Sequence, residues 1–312
     1  MRKVTELGQP APLNVIVNLR AGADDKDAVC AQIEQRFAAA GRKVSLEVAH
    51  NPAELKRLTR RAVALRPKII VAAGGDGTIN MVSSALRDSD VTLGLIPLGT
   101  FNFFARNLNI PLDLDAAVDN VLTGVIKKVN IGVVNDRIFL NNASFGLYTE
   151  IIEDRERRKR VLGRSRWVAL LSALLTALRP HPSRRIKLTA DGVMHEFITP
   201  MVFFANNALQ MKGLDLDPSG CIETGRLCIL IMRPLRRLKL FALAIRSLLG
   251  RARGVDDLEI QCAREVLIER RRRIMRVAID GEIKFMRTPL RIATREAALT
   301  AIVPPSKSSS RQ

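Results

Sequence analysis

The sequence predicts an α/β domain built on a parallel sheet, followed by a strand-rich domain interrupted by helices. Three observations carry this. The first half alternates strand-like and helix-like runs, the rhythm changes after Asn130, and 312 residues that are 47% hydrophobic suffice for two ordinary cores. The division expected is an α/β domain over residues 1–130, completed by residues from about 290 to 304, a strand-rich domain over 131–289, and a disordered tail over 305–312.

Leu13 to Asn18 (LNVIVN) is an apolar run of strand length, and Ala28 to Ala40 has helical composition with Gly41 as its stop. Val44 to Val48 and Lys68 to Ala73 (KIIVAA) are the next two strands, with a helix over Ala53 to Leu65 between them. Ile79 to Leu86 opens a third helix and Thr92 to Ile96 (TLGLI) is a fourth strand. A helix after each strand is the crossover that parallel pairing needs, so the order implies a doubly wound parallel sheet. Ligands of such sheets bind beyond the carboxyl ends of the strands. From Val129 onward, short strand-like runs follow one another without a helix between each pair: Val129 to Val134, Arg137 to Asn141, Arg185 to Ala190, Glu196 to Phe204, Leu227 to Met232, Asp257 to Cys262, Glu265 to Glu269, Arg276 to Ile279 and Pro289 to Ala293. Two helices are expected among them, at about Arg164 to Leu178 and Leu235 to Leu249.

Several classes are excluded. The longest apolar stretch, Trp167 to Leu178, has 12 residues, against the roughly 18 to 20 a membrane-crossing helix needs. The N-terminus runs from Met1-Arg2-Lys3 into polar residues and Pro10 rather than into a hydrophobic signal core. Cys30, Cys221, Cys228 and Cys262 are scattered, with no CxxC and no nearby His pair. The expectation is a reduced, cytoplasmic protein with neither a disulfide framework nor a zinc site.

The formal charge is +19, and its distribution says more than its total. Residues 151–190 hold 11 Lys or Arg against 3 acids, and residues 226–276 hold 14 against 5, so two segments supply 17 of the 19 excess charges. A balanced first half joined to a cationic second half suggests chemistry in one part and a polyanionic surface facing the other. Only Trp167 and Tyr148 accompany the 11 Phe, and no basic segment is interleaved with aromatics, so base stacking is poorly provided for and no nucleic acid is expected.

Gly74-Gly75-Asp76-Gly77-Thr78 lies between the third strand and the third helix. Glycines let the main chain approach a ligand with no Cβ in the way, and the helix behind adds the positive end of its dipole, which together make an anion cradle. Neither GxxxxGK[ST] nor GxGxxG is present. Asp76 would repel a phosphate unless it holds a metal ion, orients the loop or handles a proton; the bland reading makes it an N-cap. A second loop, Pro97-Leu98-Gly99-Thr100-Phe101-Asn102, follows the fourth strand at the same sheet edge, so Gly99 and Thr100 can converge with the first loop around one phosphate chain.

GGDGT followed by P-L-G-T-x-N-x-x-A-R at 97–106 resembles the diacylglycerol kinase catalytic-domain family, which includes bacterial lipid kinases and the sphingosine and ceramide kinases. The likeness continues through Leu140-Asn141-Asn142-Ala143-Ser144-Phe145-Gly146, Phe204-Ala205-Asn206-Asn207 and Ala278-Ile279-Asp280-Gly281-Glu282, covering roughly residues 12–304. It implies an ATP-dependent kinase of a lipid hydroxyl, with a nucleotide domain, a β-sandwich-like second domain and ATP in the cleft between them. Carried over by motif, Asn18, Gly74, Gly75, Asp76, Gly77, Thr78, Ile79, Asn80, Gly99, Thr100 and Asn102 bind the nucleotide. Asp76, Asp280 and Glu282 share the Mg²⁺ that accompanies ATP and the hydroxyl's proton, with Glu282 the first choice as proton acceptor. Asp-Gly flanked by apolar runs is also an ordinary hairpin signal.

The chain departs from the family pattern at two places. Phe103 stands where many members carry Asp after the Asn of the second loop. In the run Pro218 to Gly225, Thr224 stands where some bacterial relatives carry an Asp that holds a structural Mg²⁺. A neutral hydroxyl replaces that carboxylate poorly, so this separate metal is expected to be absent or weak, with Glu223 the one candidate substitute. Arg155 to Arg179 and Arg233 to Arg253 combine Arg and Lys with apolar residues as membrane-surface helices do, and equally as core helices with a solvated basic face. Arg270 to Arg273 is a run of four cations between two strands that reads first as a solvated turn, and otherwise as part of the same lipid-facing surface or as a contact to ATP phosphates. The partners expected are a membrane lipid, an anionic membrane surface met by the basic half, and a second copy of the chain. The competing readings are a kinase of a soluble acceptor, such as NAD or a sugar phosphate, and a non-catalytic nucleotide- or lipid-binding protein.

Overall fold

The computed structural model describes residues 2–3, 12–18, 26–162, 183–207, 219–234, 258–271 and 273–305. The expected helices at 164–178 and 235–249, Pro218, and the tail from Ser306 lie outside the described residues. The chain divides into two units, Met1–Ile131 with Glu296–Gln312, and Gly132–Arg295.

In the first unit, β1 (Arg2–Lys3) pairs with β6 (Val125–Val134). Between them come β2 (Leu13–Asn18), α1 (Lys26–Ala39), β3 (Val44–Val48), α2 (Pro52–Ala64), β4 (Ile69–Gly74), α3 (Asp76–Leu86), β5 (Thr92–Pro97), α4 (Phe103–Asn107) and α5 (Leu114–Thr123). Strands β5, β4, β2 and β3 lie side by side, all parallel, with Val15 opposite Leu46 and Val71, and Val71 opposite Gly94. Both β4 and β5 are buried along their whole length, as a parallel strand covered on two faces must be. Ile33 and Phe37 of α1 are fully buried against this sheet, each burial favouring the fold by about 1.5–3 kcal/mol.

Two local readings change. Helix α3 begins at Asp76, not Ile79, because Gly75 serves as its N-cap, which moves Asp76, Gly77 and Thr78 from the loop into the first turn. Helix α5 was not expected; Asp113 caps it by accepting from the Ala116 N–H, and Ala117, Val118 and Val121 form its buried stripe.

The second unit is a two-layered antiparallel sandwich. Its elements are β7 (Arg137–Phe139), β8 (Asn142–Gly146), α6 (Leu147–Leu162), β9 (Arg184–Ala190), β10 (Val193–Thr199), β11 (Met201–Ala205), α7 (Ser219–Glu223), β12 (Leu227–Met232), β13 (Leu258–Ala263), β14 (Glu265–Glu269), β15 (Ile274–Ile279), β16 (Glu282–Arg287) and β17 (Leu290–Val303). One layer is ordered β13-β12-β11-β8-β15-β16; the other runs β10-β9-β14 to the first residues of β17. Phe145, Phe204, Ile229 and Val277 from the first layer pack against Ile186, Leu188, Val266 and Ile292 from the second. The far end of β17 returns to the first unit, where Ala301 pairs in parallel with Leu93.

Three expectations are corrected here. The strand expected over 196–204 is two strands in different layers: β10 pairs with β9, and after Pro200 the chain passes to β11, which pairs with β8 and β12. The strand expected through Asn141 ends at Phe139, because the N–H groups of Leu140, Asn141 and Asn142 turn toward a side chain described below. The expectation of no disulfide also fails: Cys221 and Cys262 are bonded, although 41 residues separate them. The β12–β13 register puts Cys262 opposite Cys228 on the face that α7 covers, which brings Cys221 over it. Cys30 and Cys228 are free thiols. No helix among the described residues is long and apolar enough to cross a membrane.

Candidate active site

Strand β4 ends in Gly74, and Gly75 turns the chain into α3. A Cβ on Gly74 would lie 2.7 Å from the Thr78 side chain, so glycine there lets the first turn fold back over the strand end. The second loop comes to the same place, as its position after β5 predicts. The Leu98 N–H donates to the Gly74 carbonyl at 3.0 Å. A Cβ on Gly99 would stand 2.6 Å from the Gly75 Cα, and one on Gly75 would stand 3.3 Å from the Gly99 Cα. The two loops therefore touch main chain to main chain, and side chains are missing where they meet.

Asn102 locks the second loop. Its amide accepts from the Gly99 N–H at 3.0 Å and donates to the Gly99 carbonyl at 2.8 Å, while its own backbone sits in the left-handed region at φ 51°. Asn and Asp are the non-glycine residues that adopt this conformation most readily. Asn102 is buried, so its role is to hold the loop's shape. Asn18 at the end of β2 donates to the Thr78 hydroxyl at 2.9 Å, tying a third strand end to the first turn of α3. Gly77 and Thr100 are exposed above these braces. Ile79 is fully buried and its N–H goes to the Gly75 carbonyl, so its side chain faces the core rather than the loop surface.

Asp76 is not the N-cap; Gly75 is. Its carboxylate instead reaches the start of α4, where Oδ1 accepts from the Phe104 N–H at 3.4 Å. Burial raises its pKa above the ordinary value, partly opposed by main-chain N–H groups of Phe104, Asn102, Phe103 and its own residue. A half-buried carboxylate whose burial disfavours the ionised form is a group that a bound cation or a proton would stabilise. Phe103 stacks on the exposed Phe101 with ring centroids 5.4 Å apart, giving the rim an apolar edge.

The second unit carries the other predicted residues. Asp280 and Gly281 form the two-residue turn of the β15–β16 hairpin at φ 45° and 86°, the pattern of a type I′ turn, so the ordinary hairpin reading of this sequence is also true. The Asp280 carboxylate is fully engaged: Oδ2 accepts from the Leu140 N–H at 2.8 Å, and Oδ1 from Asn141 at 2.8 Å and Asn142 at 3.0 Å. Around it, Asn207 donates to the Asn141 side chain at 2.8 Å and Asn206 to the Leu140 carbonyl at 3.2 Å. Asn141, Asn142, Asn206 and Asn207 are all buried. The motif reading does not single them out as site residues; their signal in the sequence is a pair of Asn-Asn doublets at the ends of apolar runs. Glu282 is exposed, and its carboxylate pairs with Lys284 at 2.8 Å.

At Thr224 the hydroxyl donates to the carbonyls of Gly220 and Cys221. That spends it on closing α7. The side chain of Glu223 lies outside the described residues.

Residues 12–134 match the family model described as diacylglycerol kinase catalytic domain, and residues 143–303 the one described as YegS C-terminal NAD kinase beta sandwich-like domain. The diacylglycerol kinase of Bacillus subtilis is 31% identical over 241 residues, spanning 76% of this chain and 78% of its own. A probable lipid kinase YegS-like of Pseudomonas aeruginosa is 29% identical over 274 residues, with 86% and 87% covered. A crystal structure of a diacylglycerol kinase from Bacillus anthracis superposes with a TM-score of 0.71 over 95% of this chain and 98% of that one; at 23% identity the likeness concerns the fold alone.

Proposed function

The chain belongs to the diacylglycerol kinase catalytic-domain family, and on that footing we propose that it transfers the γ-phosphate of ATP to the hydroxyl of a membrane lipid. The observation that carries the reading is the main-chain contact of Gly75 with Gly99 beside the half-buried Asp76. A phosphate chain laid on that contact meets helix N–H groups with no side chain between, which is the positioning that phosphoryl transfer requires. Mg²⁺ supplies neutralisation of the phosphate charge when bound, and Asp76 is the oxygen donor that would hold it. A cation there also favours the ionised carboxylate that burial disfavours.

Glu282 is assigned to take the proton as the lipid oxygen attacks the γ-phosphorus and ADP leaves. Its support is exposure and a short side chain-to-side chain pairing that substrate can displace; a carboxylate base is worth on the order of 10²–10⁴-fold. Asp280 is better suited to positioning, since both of its oxygens are already engaged by three main-chain donors. It holds the Asn-rich loop and the hairpin carrying Glu282 in one register. The basic segments at 151–190 and 226–276 suit the second unit to an anionic membrane surface.

The test is incubation with Mg²⁺, γ-labelled ATP and, in parallel, a panel of lipid alcohols in mixed micelles and the soluble acceptors NAD and a sugar phosphate. Label is expected in a lipid product. Label appearing only in NAD or a sugar phosphate would transfer the reading to a soluble acceptor, and none anywhere, with ATP bound, would make the chain a binding protein.

A further inference from the structure

Strands β15 and β16 form a hairpin whose two faces differ. Met275, Val277, Ile279 and Met286 join the sandwich core. The residues that alternate with them stand on the outer face, where directly opposite positions share a side of the sheet: Ile274 lies opposite Arg287, and Arg276 opposite Phe285. Ile274 and Phe285 are therefore diagonal neighbours, at a spacing of about 7–8 Å that an aromatic ring can bridge. Phe285 is 74% exposed, more than any other large apolar side chain among the described residues, and Ile274 is 58% exposed.

Most charges around this pair cancel. Arg276 is committed to Glu153 of α6 through bonds of 2.9 and 2.7 Å, and Lys284 to Glu282 at 2.8 Å. Glu269, two residues before Arg271, stands opposite Lys187 of β9. Arg271, Arg273 and Arg287 are exposed and have no ion-pair partner among the described residues. Arg273 sits at the same end of the hairpin as Arg287, because its carbonyl accepts from the Thr288 N–H at 2.9 Å. Three guanidinium groups of one sign are left around two adjacent exposed apolar side chains. A second copy fits this surface badly. An isologous contact would bring these cations against their own kind, and two apolar side chains fall far short of the roughly 20–30 residues a stable interface uses on each side. An anionic bilayer meets both conditions: its surface potential attracts each cation, and its acyl boundary takes up Phe and Ile side chains without a shaped partner.

We propose that the outer face of the β15–β16 hairpin is a bilayer-docking surface, with Phe285 and Ile274 entering the acyl boundary of an anionic leaflet and Arg271, Arg273 and Arg287 against its phosphates. This docking deepens the lipid-kinase reading and rests on it for its purpose. Phe285 is three residues along β16 from Glu282, about 10 Å, so an anchor here keeps the assigned proton acceptor within reach of a lipid hydroxyl at the bilayer surface.

The full chain is sedimented with vesicles of phosphatidylcholine alone and of phosphatidylcholine mixed equally with phosphatidylglycerol. Label transfer is measured in parallel to long-chain diacylglycerol in the mixed vesicles and to monomeric dihexanoylglycerol. Binding is expected to the anionic vesicles, falling with added salt, and is expected to weaken about tenfold or more in Phe285→Ser and in R273Q/R287Q. Both variants should lose transfer at the vesicle to a similar degree and keep the parent's transfer to dihexanoylglycerol. Met194→Ser, at an equally exposed apolar position on β10, and K43Q/R60Q, at exposed positions of the first unit, should bind vesicles as the parent does. Thermal unfolding checks that the variants fold, and R287Q alone serves if the double variant does not. No binding by the parent, full vesicle affinity in folded Phe285→Ser or in the folded arginine variants, or an equal loss in the controls would each overturn the docking surface, whatever happens to dihexanoylglycerol. Absence of transfer to either lipid, with vesicle binding lost in the variants as expected, would uphold the docking surface and refute the kinase reading.

Discussion

Adding one methyl group at Gly99 should separate the two loops and disable the cradle. The new Cβ would stand 2.6 Å from both the Gly75 Cα and the Asn102 Oδ1, about 0.8 Å short of the 3.4 Å at which ordinary contact begins. Neither obstacle is the free end of a flexible side chain: one is backbone, and the other is held by two bonds to Gly99 itself. The relief must come from moving one loop off the other by most of an ångström. Overpacking of this kind typically costs about 1–3 kcal/mol, and misplacement of reacting groups by about 1 Å can cost on the order of 10²-fold in rate. We therefore expect Gly99→Ala to fold with a lowered unfolding midpoint and to lose roughly 10²-fold in kcat/KM for ATP. The assay is transfer of label from γ-labelled ATP in mixed micelles across ATP concentrations, beside a thermal melt. Gly220→Ala is the matched control, since a Cβ there meets nothing within 4 Å and its φ is ordinary. A Gly99→Ala protein with unaltered ATP dependence and turnover would refute the idea that these two loops grip the nucleotide.

Four further outcomes are expected. Asp76→Asn should abolish transfer yet raise the unfolding midpoint at pH 7: burial lifts the Asp76 pKa, so the native state binds its proton more tightly than the unfolded chain, and stability falls as pH rises from the ordinary value of 3.8 through the native one. The same comparison below pH 3.8, in acid melts, should show that gain vanish. Glu282→Gln, at an exposed position, should keep the melt of the parent and lose about 10²–10⁴-fold in turnover; undiminished turnover removes it from the mechanism. Asp280→Asn should cost about 1.5–3 kcal/mol in denaturant unfolding, because an amide presents one acceptor oxygen to three N–H donors. Cys221→Ser should cost up to about 4 kcal/mol under oxidising conditions, from the loop of 41 residues that the bond closes, and nothing under full reduction.

Much of the first unit was legible because its signals are local. Strand β2 occupies the residues its apolar run marks, and β4 and β5 follow theirs to within a residue, since a parallel strand buried on both faces needs an unbroken apolar run. The meeting of the two loops was also legible: both follow strands of one parallel sheet at their carboxyl ends, and β4 and β5 are neighbours with Gly74 opposite Pro97. The start of α3 at Asp76 is not legible in the sequence, because glycines read as loop although a helix tolerates glycine in its first turn. In the second unit, β8 (NASFG) gave little sign of itself. Its inner residues Ala143 and Phe145 alternate with Asn142 and Ser144 on a face that is also buried, so the polar residues masked a central strand.

By itself the sequence determined the types of structure, the order of the motifs and the chemistry available at each turn, because spacing and turn preference act over a few residues. Only the tertiary structure decided which groups remain free to act. Asp280 and Glu282 are two positions apart and chemically alike, yet one is engaged by main chain some 140 residues earlier and the other is exposed. Cys221 finds Cys262 rather than Cys228, and Arg276 pairs with Glu153 of α6. Those pairings follow from sheet register and layer packing, which join residues distant in the chain, so no local pattern can announce them.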